Sequence, residues 1–133
     1  MTDLRDIAPF PNPGVRLIEE DTLAATWEEI FEPGVATPPH RHTRDYIAVF
    51  PDGGELTLTH VAGELESYTL LRGSAEALPA DDGRLRFAFT AGTMLRSYVP
   101  PGGTAHIALN ESDVPVRMLL IELKGSAAGP VES

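Results

Sequence analysis

Apolar and polar positions alternate along most of this 133-residue chain. In "ELTLTH", Leu56, Leu58 and His60 share one side, and Glu55, Thr57 and Thr59 share the other. A period of two belongs to a β-strand with one buried face. Stretches of the same character recur as "LAATWEEIFEPG", "YIAVF", "LESYTLL", "LRFAF", "TMLRSYV", "AHIALN" and "VRMLLIEL". "YIAVF" and "MLLI" are apolar on both sides, as in strands covered on each face. Turn signals separate the stretches: Pro33-Gly34, Pro51-Asp52-Gly53-Gly54, Asp81-Asp82-Gly83, Ala91-Gly92, Pro100-Pro101-Gly102-Gly103 and Glu111-Ser112-Asp113.

No stretch carries the 3.6 period of a capped amphipathic helix. "RGSAEALPA" allows one helical turn before Pro79. Many short strands at near-regular spacing predict an all-β domain: a sandwich, jelly roll or small barrel. The length suits one domain spanning residues 1–133. Residues 1–16, rich in proline and turn formers, read as an arm lying on its surface. The small, polar ending reads as a flexible tail from about Gly125.

Composition narrows the chemistry. There is no cysteine, which excludes disulfides, thiolate metal sites and a cysteine nucleophile. The formal net charge of −10 disfavours nucleic acid and anionic membranes as partners. The first residues lack a secretory signal, and no run approaches the roughly 20 apolar residues of a membrane span. The expectation is a soluble, cytoplasmic chain whose partner is a small molecule. No nucleophile elbow, P-loop or dinucleotide fingerprint is present.

Three of the four histidines fall in two suggestive places. In "PPHRHTRDY", two prolines hold the chain extended ahead of His40 and His42. Residues i and i+2 of an extended segment point the same way, so both imidazoles can converge on one ion, with Arg41 turned away. Taken alone, the segment fits two solvated loop histidines somewhat better than a metal pair. In "VPPGGTAHIALN", a tight turn leads into a strand carrying His106, with Asn110 on the same side.

Together the spacings Gly34-x5-His40-x-His42 and Pro101-x-Gly103-x2-His106-x3-Asn110 resemble the two motifs of the cupin superfamily, over roughly residues 23–124. "FEPGVATPPHRHTRDYIAVF", "NES" and "IELK" are similar to small single-domain bacterial cupins, including those assigned to β-alanine degradation. The resemblance implies a double-stranded β-helix, or jelly-roll barrel. It also implies homodimerisation and one divalent transition metal (Fe, Zn, Ni, Cu or Mn) on His40, His42 and His106.

The chain departs from the family in two respects. The motif glutamate is replaced by Tyr46 or Ile47, so the carboxylate ligand is missing. Tyr46 is expected to point inward as a hydrogen-bond donor or distant ligand, and thus as a candidate catalytic group. Asp45, one residue early, would need a bulge to reach the ion. The connection from about Val61 to Arg86 is also longer than usual and is expected to add a hairpin.

His60, Arg96, Tyr98 and Asn110 are further candidates for the pocket. Arg96 would pair with a substrate carboxylate if it faced inward. Three neutral imidazoles leave open positions on an ion, as catalysis needs. The expected function is therefore a mononuclear metalloenzyme acting on a small carboxylated or carbonyl metabolite, with oxidation by dioxygen as the first expectation and isomerisation or decarboxylation next. The alternatives are a non-catalytic binding or sensor cupin and a metal-free structural dimer.

Overall fold

The turn-punctuated alternation resolves into two antiparallel sheets facing one another in a computed structural model that describes residues 3–78 and 84–127. The strands are β1 (Arg16–Glu20), β2 (Ala24–Phe31), β3 (His40–His42), β4 (Arg44–Phe50), β5 (Gly54–Gly63), β6 (Ser67–Arg72), β7 (Ala75–Leu78), β8 (Leu85–Phe89), β9 (Thr93–Tyr98), β10 (Thr104–Leu109) and β11 (Val116–Ala127). One sheet has the order β1-β2-β11-β4-β9-β6, the other β3-β10-β5-β8-β7. From β2 to β7 and again from β8 to β11, chain neighbours alternate between the sheets, which wraps the chain into a barrel with a single interior.

Alternation is realised strand by strand. Along β4, Tyr46, Ala48 and Phe50 are buried, while Ile47 and Val49 are half-buried. Along β11, Met118 and Leu120 point inward, and Leu119 and Ile121 are half-buried outside. These strands are covered on one face and only partly on the other, rather than on both as the sequence suggests. Phe50 stacks on Phe89 at 4.0 Å, and both join Phe10, Phe31, Leu56, Leu95 and Val116 in the main core.

Three segments differ from the sequence reading. β1 extends the first sheet beyond the expected start near Leu23; all five of its residues are exposed, so it carries no burial pattern to read. "AEAL" of "RGSAEALPA" forms β7, because pairing with β8 outweighs a weak helical preference. Pro79 and the Asp81-Asp82-Gly83 turn lie outside the described residues. The long connection supplies β6 to one sheet and β7 to the other, and β7 runs antiparallel to β8. At the far end β11 runs on to Ala127; residues 128–133 lie outside the described residues.

The amino-terminal arm is tied down. A short 3-10 helix, Leu4–Asp6, is capped by the Asp3 carboxylate, which accepts from the Arg5 amide. Pro9 bridges to Arg41 in β3, and the Phe10 amide donates to the Arg41 carbonyl at 2.9 Å. Arg41, pointing away from the barrel interior, donates from Nε to the Ile7 carbonyl at 2.7 Å. The arm therefore delivers Phe10 into the core instead of leaving it at the surface.

Candidate metal centre

β3 is three residues long, and its extended backbone sends His40 and His42 to the same side, into the barrel. β10 lies beside it, with His106 in register with His40 and Thr104 with His42. The turn before β10 closes with Gly103, whose amide donates to the Pro100 carbonyl at 2.9 Å. At φ +99 and with a built Cβ only 2.9 Å from the His42 carbonyl, that position takes no side chain without strain. Tight packing there holds the two histidine strands together.

The three imidazoles converge. Ring centroids are separated by 5.1 Å for His40 and His42, 4.7 Å for His40 and His106, and 5.0 Å for His42 and His106. Their ligand nitrogens all lie within 4.8 Å of one another. Relative exposures are 3%, 2% and 7%. Burial lowers His40 to about 4, with the charge on His106 adding to the effect, and drives His42 well below its ordinary value. Both rings are thus neutral at pH 7, the form that binds a metal.

Two of the rings have fixed tautomers. His40 Nδ1 is 3.0 Å from the Pro38 carbonyl, which can only accept, so this nitrogen carries the proton and Nε2 is free. His106 Nδ1 donates to Oε1 of Glu66 at 2.9 Å, which likewise frees its Nε2. His42 Nδ1 is buried without a hydrogen-bond partner. An orphaned ring nitrogen among converging buried imidazoles is the condition that a transition metal relieves, so the residues fit such an ion.

Glu66 is the site residue the sequence did not reveal. It comes from the segment between β5 and β6, inside the long connection, and its side chain is only 6% exposed. Besides His106, its carboxylate accepts from the Tyr46 hydroxyl at 2.8 Å and from the Ser97 hydroxyl. Burial alone would raise this carboxyl; the His106 hydrogen bond above all, together with charge interaction with His106 and the Ser97 bond, outweighs it, holding Glu66 well below the usual carboxylate range. Among the described residues no carboxylate joins the three-histidine ligand group, but one grips its third member. Nothing local marks Glu66 in "GELES"; only its place in a connection of unusual length could have drawn attention.

Tyr46 faces inward, its ring 4.7 Å from that of His42. Burial, followed by the charge on Glu66, lifts the hydroxyls of both Tyr46 and Tyr68 far above their ordinary value, so both remain protonated donors.

Five other candidates sit away from the ion site. Asp45 turns outward, accepts from the Val99 amide at 2.8 Å and pairs with Arg96 at 3.2 Å; no bulge carries it inward. Arg96 is therefore committed to Asp45, and its guanidinium lies 4.9 Å from the centroid of the exposed Tyr98 ring. The alternation of β9 sends Ser97 inward and these two outward. Asn110 is fully buried but works on the fold: its Nδ2 donates to the Phe31 and Val114 carbonyls, and its Oδ1 accepts from the amide and hydroxyl of Ser112. His60 is exposed at its strand end and donates to the Gly63 carbonyl at 2.8 Å, on the rim of a surface pocket shared with His106 and Glu66.

Beyond the imidazoles a cavity of about 50 Å³ extends into the barrel, walled by Phe31, Phe50, Phe87, Leu95 and Met118. One water needs roughly 10–15 Å³ by the same measure, so the space suits a ligand of a few heavy atoms. Neither arginine nor lysine lines it among the described residues. Glu29 does: it lies on the same side of β2 as Trp27 and Phe31, and is only 7% exposed. What interrupts an apolar face in the sequence is thus a buried carboxyl facing the histidine cavity.

The fold matches solved cupin barrels. A cupin domain from Bordetella pertussis Tohama I superposes with a TM-score of 0.58 at 24% identity, over 86% of this chain and 98% of that one. A Bacillus subtilis oxalate decarboxylase studied for its Mn(II) centres gives a TM-score of 0.52 at 20% identity, over 90% of this chain and 28% of its own length. No family model matches the sequence, and neither does any curated protein. The chain has the cupin fold, with a three-histidine group that could hold a metal ion.

Proposed function

We propose that the chain binds one divalent transition metal through His40, His42 and His106 and uses it to act on a small carboxylated or carbonyl metabolite. The observation that carries this reading is the convergence of three buried imidazoles at the wall of a small cavity, His40 and His42 neutral by burial and His42 with an orphaned nitrogen. Fe, Zn, Ni, Cu and Mn all accept imidazole ligands, and the manganese of a structural neighbour adds weight to the last. Such an ion would supply Lewis acidity toward an oxygen ligand and, if redox-active, a route to dioxygen.

The chain's own residues do the rest. Pro38 and Glu66 hold two imidazoles in their ligating tautomer. Phe10 packs against His42 at 4.9 Å and shields that side from water. With no cationic side chain in the cavity, an anionic substrate would be met by the ion itself, which favours a small molecule with one chelating head. Half-buried Ile47, Val49, Leu119 and Ile121 on the outer side of β4 and β11 support pairing of two copies through that sheet.

The test is elemental analysis of untagged protein beside a His106→Ala variant. About one equivalent of a transition metal, lost in the variant, is expected; well-folded protein that takes up no supplied metal would refute the reading. Screening of small organic acids under air then separates turnover from binding alone.

A further inference from the structure

Glu29 is a buried carboxyl in the wall of the histidine cavity. It is buried and in register with the apolar Met118, and no ion pair involving it is found among the described residues. Its hydrogen-bond partner is neutral: Nδ2 of Asn12, from the amino-terminal arm, donates to Oε2 at 2.9 Å. The titratable groups lining the same cavity are His40, His42, His106, Tyr46 and Tyr68. On its other side Glu29 borders a separate cleft of about 160 Å³ that opens to solvent, bounded by Asn12, Val35, Thr37, Pro38 and a second carboxyl, the exposed Glu32. The carboxyl thus stands between the metal cavity and an outer route for protons.

We propose that Glu29 is the charge-compensating group of this centre, giving up its proton to solvent as a divalent ion enters the three-histidine cavity and regaining it when the ion leaves. The inference rests on the metal reading above. A carboxyl buried without a cation favours its neutral form, and burial does raise Glu29, opposed by the Asn12 hydrogen bond and the charge on His106. A dipositive ion facing it reverses that preference. On loading, the carboxyl O–H bond breaks, the electron pair stays on the carboxylate, and the proton passes to water in the outer cleft. Net charge entering the barrel falls from two to one. A three-histidine group with no carboxylate beside it among the described residues obtains in this way one negative charge that appears only when metal is present.

The experiment uses Zn(II) as the probe. Isothermal titration of the metal-free protein at pH 7, in buffers of different ionisation enthalpy, counts protons released per ion. Glu29→Gln keeps an acceptor for Asn12 and should release one proton fewer than the unsubstituted chain. Infrared spectra give a second readout: a protonated carboxylic acid band in the metal-free protein, lost on loading and absent from the variant. Equal proton counts, or no such band in the metal-free chain, would overturn the inference and leave the metal reading standing. Failure of the unsubstituted protein to take up Zn(II) or any other transition ion would overturn both.

Discussion

Nδ1 of His106 and Oε1 of Glu66 lie 2.9 Å apart, though the two residues are 40 positions apart in sequence. The pair ties β10 to the segment ahead of β6 and sets which nitrogen of His106 faces the ion site. A histidine held by a carboxylate on its far nitrogen is oriented, and its ligating nitrogen is more basic. Removing the carboxylate should therefore weaken metal binding without removing a ligand. For Glu66→Ala the expected loss in Zn(II) affinity is about 10–100-fold, read by competition with a chelator. An unchanged affinity would show that His106 needs no orienting partner.

Arg96 offers the opposite expectation. Its guanidinium is held on the outer face by Asp45 and lies against the Tyr98 ring. Arg96→Met should leave metal stoichiometry and affinity unchanged. This partly buried ion pair at the outer face contributes on the order of 1 kcal/mol, so the melting temperature should move little. A marked loss of metal would mean that β9 presents its other side to the cavity.

Acidification should destabilise the metal-free protein through His40. Its folded pKa, about 4, lies below the unfolded value of 6.5, so between those limits the unfolded chain binds more protons. Stability is full above about pH 6.5 and falls as pH drops toward 4, by up to about 3 kcal/mol for this group. Glu29, raised by burial, acts with the opposite sign and costs stability as pH rises past its unfolded value. The measurement is urea unfolding from pH 7 to 4 beside His40→Gln, which should show a shallower loss. Parallel pH dependences in the two proteins would contradict a neutral buried His40.

Asn110 should act on stability alone. All its polar atoms are used inside the protein, joining the end of β2 to the turn after β10. Asn110→Ala strands two carbonyls and releases Ser112, at an expected cost of about 2–4 kcal/mol. Metal stoichiometry of whatever remains folded should be unaltered. Chemical denaturation together with elemental analysis checks both halves.

Gly103→Ala joins a positive φ to a clash with backbone beside His42. The expected penalty is at least 1–3 kcal/mol, roughly. Because the strain falls between the two histidine strands, metal affinity should decline along with stability. A variant as stable as the parent would mean that the turn before β10 can relax.

The sequence by itself determined the strands and the inward histidines. Alternation in "TMLRSYV" and "AHIALN" is a local property, set by the pleat, and it survives folding unchanged. The paired spacings around His40, His42 and His106 were legible for the same reason, since each depends on a short extended segment and a tight turn. β1 was not legible, because an edge strand exposed on both sides leaves no pattern. Glu66 and Glu29 were not legible either. Their roles come from contacts across the barrel, with His106 for one and with Asn12 and the histidine cavity for the other. Only the tertiary structure decides whether a carboxylate on a strand or loop meets solvent, a cation or a buried imidazole, because that depends on which distant residues the sheets bring beside it.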